Sequence, residues 1–254
     1  MTLLAREPTG GRLGLRLPAG RIVPDEHGAP ALWLSNAAVD WPTLEQLHAD
    51  VGRTGLWPVA MNLEGFAEPL QPDWPEVPYD AEVVLAGWST RYSRGSNDSH
   101  AYDGCETCEA VIAVPRSLLG GALAVDEDQD PGRTAAAVAA CFSMDAPYLG
   151  LLACDRSADT VTALGWQGPA NRGDPIGRYS AVLGKWEEQY GIRVAALFGA
   201  SLECSVSRPP RTLDQALDLA VEHLAFCPDQ SGLLHLDMLA RSLIGTSRWS
   251  FWWD

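Results

Sequence analysis

The 254-residue sequence predicts an α+β fold, with a mixed α/β arrangement as the alternative, in which amphipathic helices pack on a mixed sheet. Three observations point there. Two apolar runs, 192–198 and 201–206, are separated only by Gly199-Ala200, the spacing of a hairpin or a tight corner. Helical stretches with cap signals flank them, from 176 to 190 and from 213 to 227, each with apolar residues recurring on one face. The chain then ends on Trp249-Ser250-Phe251-Trp252-Trp253-Asp254. As a closing strand this would point Trp249, Phe251 and Trp253 one way and Ser250, Trp252 and Asp254 the other.

Taken in order, residues 12–17 place apolar side chains at every second position, Pro18-Ala19-Gly20 marks a turn, and 31–34 is a second β-like run. Two or three strands are expected there. A helix is expected from Thr43, with Gln46 completing a capping box, Leu44, Leu47, His48 and Val51 on one face, and Gly52 closing it. Residues 55–61 have the apolar density of a buried strand, which Pro58 would confine to an edge or a bulge. Prolines interrupt 64–79, an irregular crossing, and 80–88 reads as one helix. Residues 89–104 are the most loop-like part of the chain, inside a variable insertion spanning about 89–133, and the alanine-rich 134–144 is helical.

The second half is clearer. Residues 148–154 form a buried strand, and a short helix is capped by Ser157 and stopped by Gly165. After the polar loop 165–173, Asp174 is the expected N-cap, with Pro175 at the first helical position. The helix that follows carries Ile176, Tyr179, Val182, Leu183, Trp186 and Tyr190 on one stripe, and Thr212 with Gln215 makes a capping box for the next. The expected organisation is an N-terminal β-rich region, 1–147, and a C-terminal α/β domain, 148–254.

Charge narrows the partners. With 33 acidic against 18 basic residues and a net charge of −15, binding to a phosphate backbone is not expected, because that draws on Lys and Arg. No apolar run reaches the roughly 18 residues of a membrane span, and the first residues lack the pattern of a signal peptide. A cytoplasmic location with reduced thiols is therefore expected.

Chemistry-bearing residues gather near the end of the chain. Glu222, His223 and Asp229 are candidate catalytic groups, with His223 and Cys227 one helical turn apart. An ordinary core histidine is the competing reading. Cys105-Glu106-Thr107-Cys108 could hold zinc if His223 and Cys227 completed a set of three cysteines and one histidine, although simple reduced thiols and no cofactor are the simpler expectation. The run Asp126-x-Asp128-x-Asp130 lacks the later glycine and glutamate of a calcium loop. Trp57, Trp166, Asn171, Trp252 and Asp254 are candidate ligand- or partner-binding residues, Trp252 forming an aromatic platform with Trp166 or Trp57 if its face of the closing strand is exposed and belonging to the core if both faces are buried.

Several of these segments carry a resemblance. Gly165-Trp166-x-Gly168-x-x-Asn171, Trp186-Glu187-x-x-Tyr190-Gly191, Arg208-Pro209-Pro210, Glu222-His223-x-x-Phe226-Cys227-Pro228-Asp229 and Trp249-x-Phe251-Trp252-Trp253-Asp254 together resemble the bacterial domain-of-unknown-function 4253 family. The resemblance covers roughly 148–254, and Thr54-Gly55-Leu56-Trp57-Pro58 is similar to a segment upstream of that domain in longer members. It implies a bacterial, soluble protein and, the family's activity being uncharacterised, assigns no catalytic residue. The expected function is a module that binds a protein partner or a small ligand. A small hydrolase or transferase using Glu222, His223 and Asp229, metal-assisted or not, is the alternative.

Overall fold

The structure is a computed structural model and describes residues 1–62, 66, 68–93, 130–142, 148–229 and 236–254. Among these, seven strands form one mixed sheet: β1 (Gly20–Pro24), β2 (Pro30–Ser35), β3 (Leu56–Met61), β4 (Tyr148–Ala153), β5 (Ile192–Leu197), β6 (Ser201–Val206) and β7 (Arg248–Trp252). Their order across the sheet is β1-β2-β4-β3-β5-β6-β7. Neighbours are antiparallel except β3 and β5, which pair in parallel at Ala60–Ala196 and Met61–Leu197. β4 is antiparallel to both its neighbours, so it joins β2 to β3 at the middle of the sheet.

Nine helices accompany these strands among the described residues: α1 (Thr2–Arg6), α2 (Trp41–Ala49), α3 (Val51–Thr54), α4 (Ala81–Ser93), α5 (Pro131–Cys141), α6 (Thr160–Leu164), α7 (Ile176–Tyr190), α8 (Leu213–Phe226) and α9 (Leu236–Leu243). None is long and apolar enough to cross a membrane. The α+β class expected from the sequence is the one observed.

Both sheet faces are covered because side chains alternate along each strand. On one face Val59, Met61, Leu152, Val194, Leu202 and Phe251 meet α4, α6, α7, α8 and α9. On the other, Leu56, Ala60, Leu149, Leu151 and Ala195 meet Leu4 of α1, Leu44 and Leu47 of α2, and Ala136 and Ala139 of α5. The small α5 side chains let that helix lie close to the sheet. Gly165, at φ +62°, ends α6 where a Cβ would fall 1.9 Å from the Gln71 carbonyl oxygen, so only glycine fits.

Several elements differ from the sequence reading. Residues 12–17 form no strand, because Gly10 and Gly14 in left-handed conformation turn the chain around a short 3₁₀ segment, and the pairing strand is β1 instead. α2 is capped by Asp40, whose carboxylate accepts from the Thr43 amide, and Gly55 rather than Gly52 terminates the helical stretch. Pro58 lies in a central strand. β5 pairs with β3 only at Ala60 and Met61, which leaves that side of Pro58 without a ladder. Asp174 does not cap α7: its carboxylate takes Arg91, Arg178 and the Trp88 indole instead. α4 runs on to Ser93, through the beginning of the expected loop, while 94–129 and residues 143 and 144 of the alanine-rich helix lie outside the described residues. α1 and α9 were not anticipated.

The capping box of α8 is present as expected, the Thr212 hydroxyl accepting from the Gln215 amide and the Gln215 carboxamide accepting from the Thr212 amide. β7 reads exposed, buried, exposed, buried, exposed along its five residues. Phe251→Ala should therefore cost about 4 kcal/mol in urea unfolding, and Trp252→Ala, one residue on, less than about 0.5 kcal/mol.

Candidate functional site

The end of α8 lies against β7, with His223 on Trp249 and Phe251 and Cys227 on the Trp252 carbonyl. On α8, Glu222 and His223 lie either side of Trp186 from α7. The Glu222 carboxylate accepts from Trp186 Nε1 at 2.7 Å and from Lys185 Nζ at 2.9 Å. Lys185, the only lysine in the chain, also reaches Glu82 of α4 at 2.7 Å. Its ammonium and Glu222 are both nearly excluded from water, so this pair pins α4, α7 and α8 together.

His223 is enclosed by rings. Its imidazole centroid lies 4.9 Å from Trp186, 4.7 Å from Trp249 and 4.9 Å from Phe251. Nε2 is buried with no hydrogen-bond partner among the described residues, and burial lowers the group to about 3. A neutral imidazole in an aromatic cage follows. Cys227, one turn on, donates its thiol to the Trp252 carbonyl at 2.9 Å.

Asp229, Asn171 and Asp254 are brought together. One Asp229 oxygen takes the guanidinium of Arg172 and the other the Asp254 amide at 3.2 Å, while Asn171 Nδ2 donates to the Asp254 carbonyl. These three side chains and the Asp254 backbone clasp Asp254 to the 165–173 loop. Arg172 was not singled out from sequence, although a cation beside Asn171 in a polar loop was the available signal.

The three tryptophans proposed as a binding surface are separated. Trp166 is buried, donates to the Phe198 carbonyl at 2.8 Å and meets Trp253 edge to face at 5.4 Å. Trp57 is buried at the other end of the sheet's middle, where its indole donates to the Cys154 carbonyl at 3.0 Å beneath the Arg193 guanidinium. Only Trp252 is open to solvent, with 47% of its surface exposed.

The outer face of β7 is therefore the exposed part of the site. Beside Trp252, Ser250 Oγ donates at 2.5 Å to Glu203, whose carboxyl burial raises and whose second neighbour is Arg248 Nε at 3.5 Å. The Arg248 guanidinium lies 5.1 Å from the centroid of the Phe142 ring, which in turn packs on Phe198. Two outward carbonyls of this edge strand are already occupied: Trp252 by the Cys227 thiol, Arg248 by the Thr246 hydroxyl.

Cys105 and Cys108, like Asp126 and Asp128, lie outside the described residues. Among those described, no three or more His, Cys, Asp or Glu side chains are grouped to hold a metal ion. The thiols of Cys154 and Cys204 are pushed up by burial and remain protonated at neutral pH.

Residues 148–254 match the family model described as domain of unknown function (DUF4253). No curated protein and no solved structure matched the chain. The DUF4253 match begins at β4 and takes in everything through β7, so it contains α7, α8 and the aromatic strand but not β2 or β3, between which β4 lies. Its Gly165-Trp166-x-Gly168 segment has a direct packing reason: a Cβ on Gly168 would fall 2.0 Å from the Trp166 ring.

Two measurements check the buried charges. His223 and His48 are both lowered to about 3 by burial, so the unfolded chain takes up protons first as pH falls below about 6.5. Their contribution to stability is complete above that pH and is lost toward pH 3, by about 1.4 kcal/mol per histidine at pH 5.5, partly offset as the raised carboxyls of Glu187 and Glu203 accept protons. Urea unfolding of wild type and His223→Gln between pH 7.5 and 5.5 reads this as a smaller pH dependence in the variant. Glu222→Ala, which leaves the buried Trp186 indole without its acceptor and Lys185 without its buried carboxylate partner, should lower stability by about 3 kcal/mol in the same assay.

Proposed function

We propose that the protein is an interaction module that recognises a protein partner through the outer face of β7. The observation that carries this reading is Trp252, an indole 47% exposed in a strand whose alternate residues are fully packed. An exposed tryptophan flanked by an arginine held over an aromatic ring is the composition of an interface anchor. Since the Trp252 and Arg248 carbonyls are occupied from within the chain, the partner is engaged by side chains rather than by an added strand.

Of the groups of the alternative, a hydrolase or transferase, Glu222 is bonded to Lys185 and Trp186 and Asp229 to Arg172 and the Asp254 amide, while His223 is enclosed by Trp186, Trp249 and Phe251. The four described cysteines are free thiols, which supports a reducing, cytoplasmic setting. A zinc site would have to draw on Cys105 and Cys108, and elemental analysis of protein purified without chelator decides it.

The interaction reading is tested by affinity capture from cells that produce the protein, comparing wild type with Trp252→Ala and Arg248→Ala. A partner retained in stoichiometric amount by wild type should fall at least about tenfold with Trp252→Ala. Equal retention by both variants would remove the β7 face from the proposal.

A further inference from the structure

The most exposed apolar side chains do not lie on β7. Trp74, Val77 and Val83 are 53%, 74% and 68% exposed, and all three fall within ten consecutive residues ahead of and inside the first turn of α4. Residues 73–83 carry Asp73, Glu76, Asp80 and Glu82 and no lysine or arginine. Glu82 is paired with Lys185, whereas among the described residues no cation pairs with Asp73, Glu76 or Asp80.

This stretch is held in place. The Asp73 amide donates to the Thr162 carbonyl at 3.1 Å, Pro75 and Tyr79 press on Gly177 of α7 so closely that a Cβ there would meet them at 3.1 and 3.2 Å, and Arg178 lies over the Tyr79 ring. Asp80 caps α4 by accepting from the Glu82 amide at 2.8 Å. Apolar and anionic groups are thus presented from a fixed backbone, and little ordering entropy is left to lose on binding. Arg178, over the Tyr79 ring, already has Asp174 as its partner at 2.6 Å.

We infer that residues 73–83 form a second docking surface, for a basic protein segment that combines lysine or arginine with apolar side chains. Exposed apolar groups of this kind mark interaction sites. The unpaired carboxylates select the sign of the partner's charge, and the spread of three apolar side chains over ten residues suits a peptide rather than a compact small molecule. The inference rests on the reading of the chain as an interaction protein and adds the chemistry of what it binds.

The test uses the full chain and two synthetic peptides of equal length, one of lysine and leucine, the other with glutamate replacing lysine. Binding is followed by fluorescence anisotropy of the labelled peptide at low and high salt. The lysine peptide should bind more tightly than its glutamate counterpart and weaken with salt. It should also lose at least about tenfold in affinity against both Trp74→Ser/Val77→Ser and Asp73→Lys/Glu76→Lys. Met238→Ser, which removes an exposed apolar side chain on α9, should leave affinity unchanged. Circular dichroism confirms that each variant is folded. Affinity within twofold of wild type for either double variant, or equal binding of the two peptides, overturns the proposal. The capture experiment with Trp252→Ala reads the β7 face independently, so either surface can fail while the other stands.

Discussion

Everything in the second half of this chain leans on the inward rings of β7. Phe251 stacks on Trp186 at 5.7 Å and 12°, Trp249 meets Trp186 and Tyr190 edge to face, and Phe226 fills the space between Phe251 and Trp253. Each buried ring contributes about 1.5–3 kcal/mol by leaving water, and each well-placed aromatic pair about 0.5–1.5 kcal/mol more. That is enough to hold α7, α8 and the 165–173 loop to one edge of the sheet. It also accounts for His223. An imidazole in the middle of this cluster can remain only as a neutral ring, so its titration is governed by packing rather than by a charged partner.

Much of the fold could be read in the sequence wherever a local rule and a tertiary need agreed. The hairpin of β5 and β6, the apolar stripe of α7, the capping box of α8 and the alternation of β7 all follow from spacing alone, and the structure has each of them. Disagreements came where a local rule has more than one solution. Thr43 and Asp40 are both plausible caps for α2, and the competition is settled by Trp41-Pro42, which fits the first turn of a helix and so moves its start upstream. Residues 12–17 have a strand's alternation, but two left-handed glycines fold them back before any neighbour can pair. Pro58 signalled an edge because pairing is usually continuous along a strand, whereas the ladder to β5 starts only two residues later.

The candidate site was legible in its membership more than in its arrangement. Asn171, Asp229 and Asp254 carry separate signals, and nothing in their spacing says that Asp229 takes Arg172 on one oxygen and the Asp254 amide on the other, or that Asn171 donates to the Asp254 carbonyl. Trp57, Trp166 and Trp252 are candidates for one aromatic binding surface on sequence alone. Burial and hydrogen bonding divide them, two indoles donating to backbone carbonyls and one facing water. The sequence also points away from 73–83, which it divides between an irregular crossing to residue 79 and the start of a helix at 80. Its fixed position depends on Gly177 and Arg178, a hundred residues along the chain, and long-range packing of that kind leaves no local trace.

The place of β4 bears on the order in which this protein can be assembled. β2 and β3 have no ladder between them until β4 arrives, and β4 lies beyond all of α2, α4 and α5 in the chain. A nascent chain emerging from the ribosome would hold two strands with open edges and no common neighbour through much of its synthesis. Loop closure between Leu34 and Gly150 must precede the middle of the sheet, which puts slow, non-local pairing at the centre of folding. Nascent-chain lengths that stop short of β4 would thus be the ones in greatest need of a chaperone.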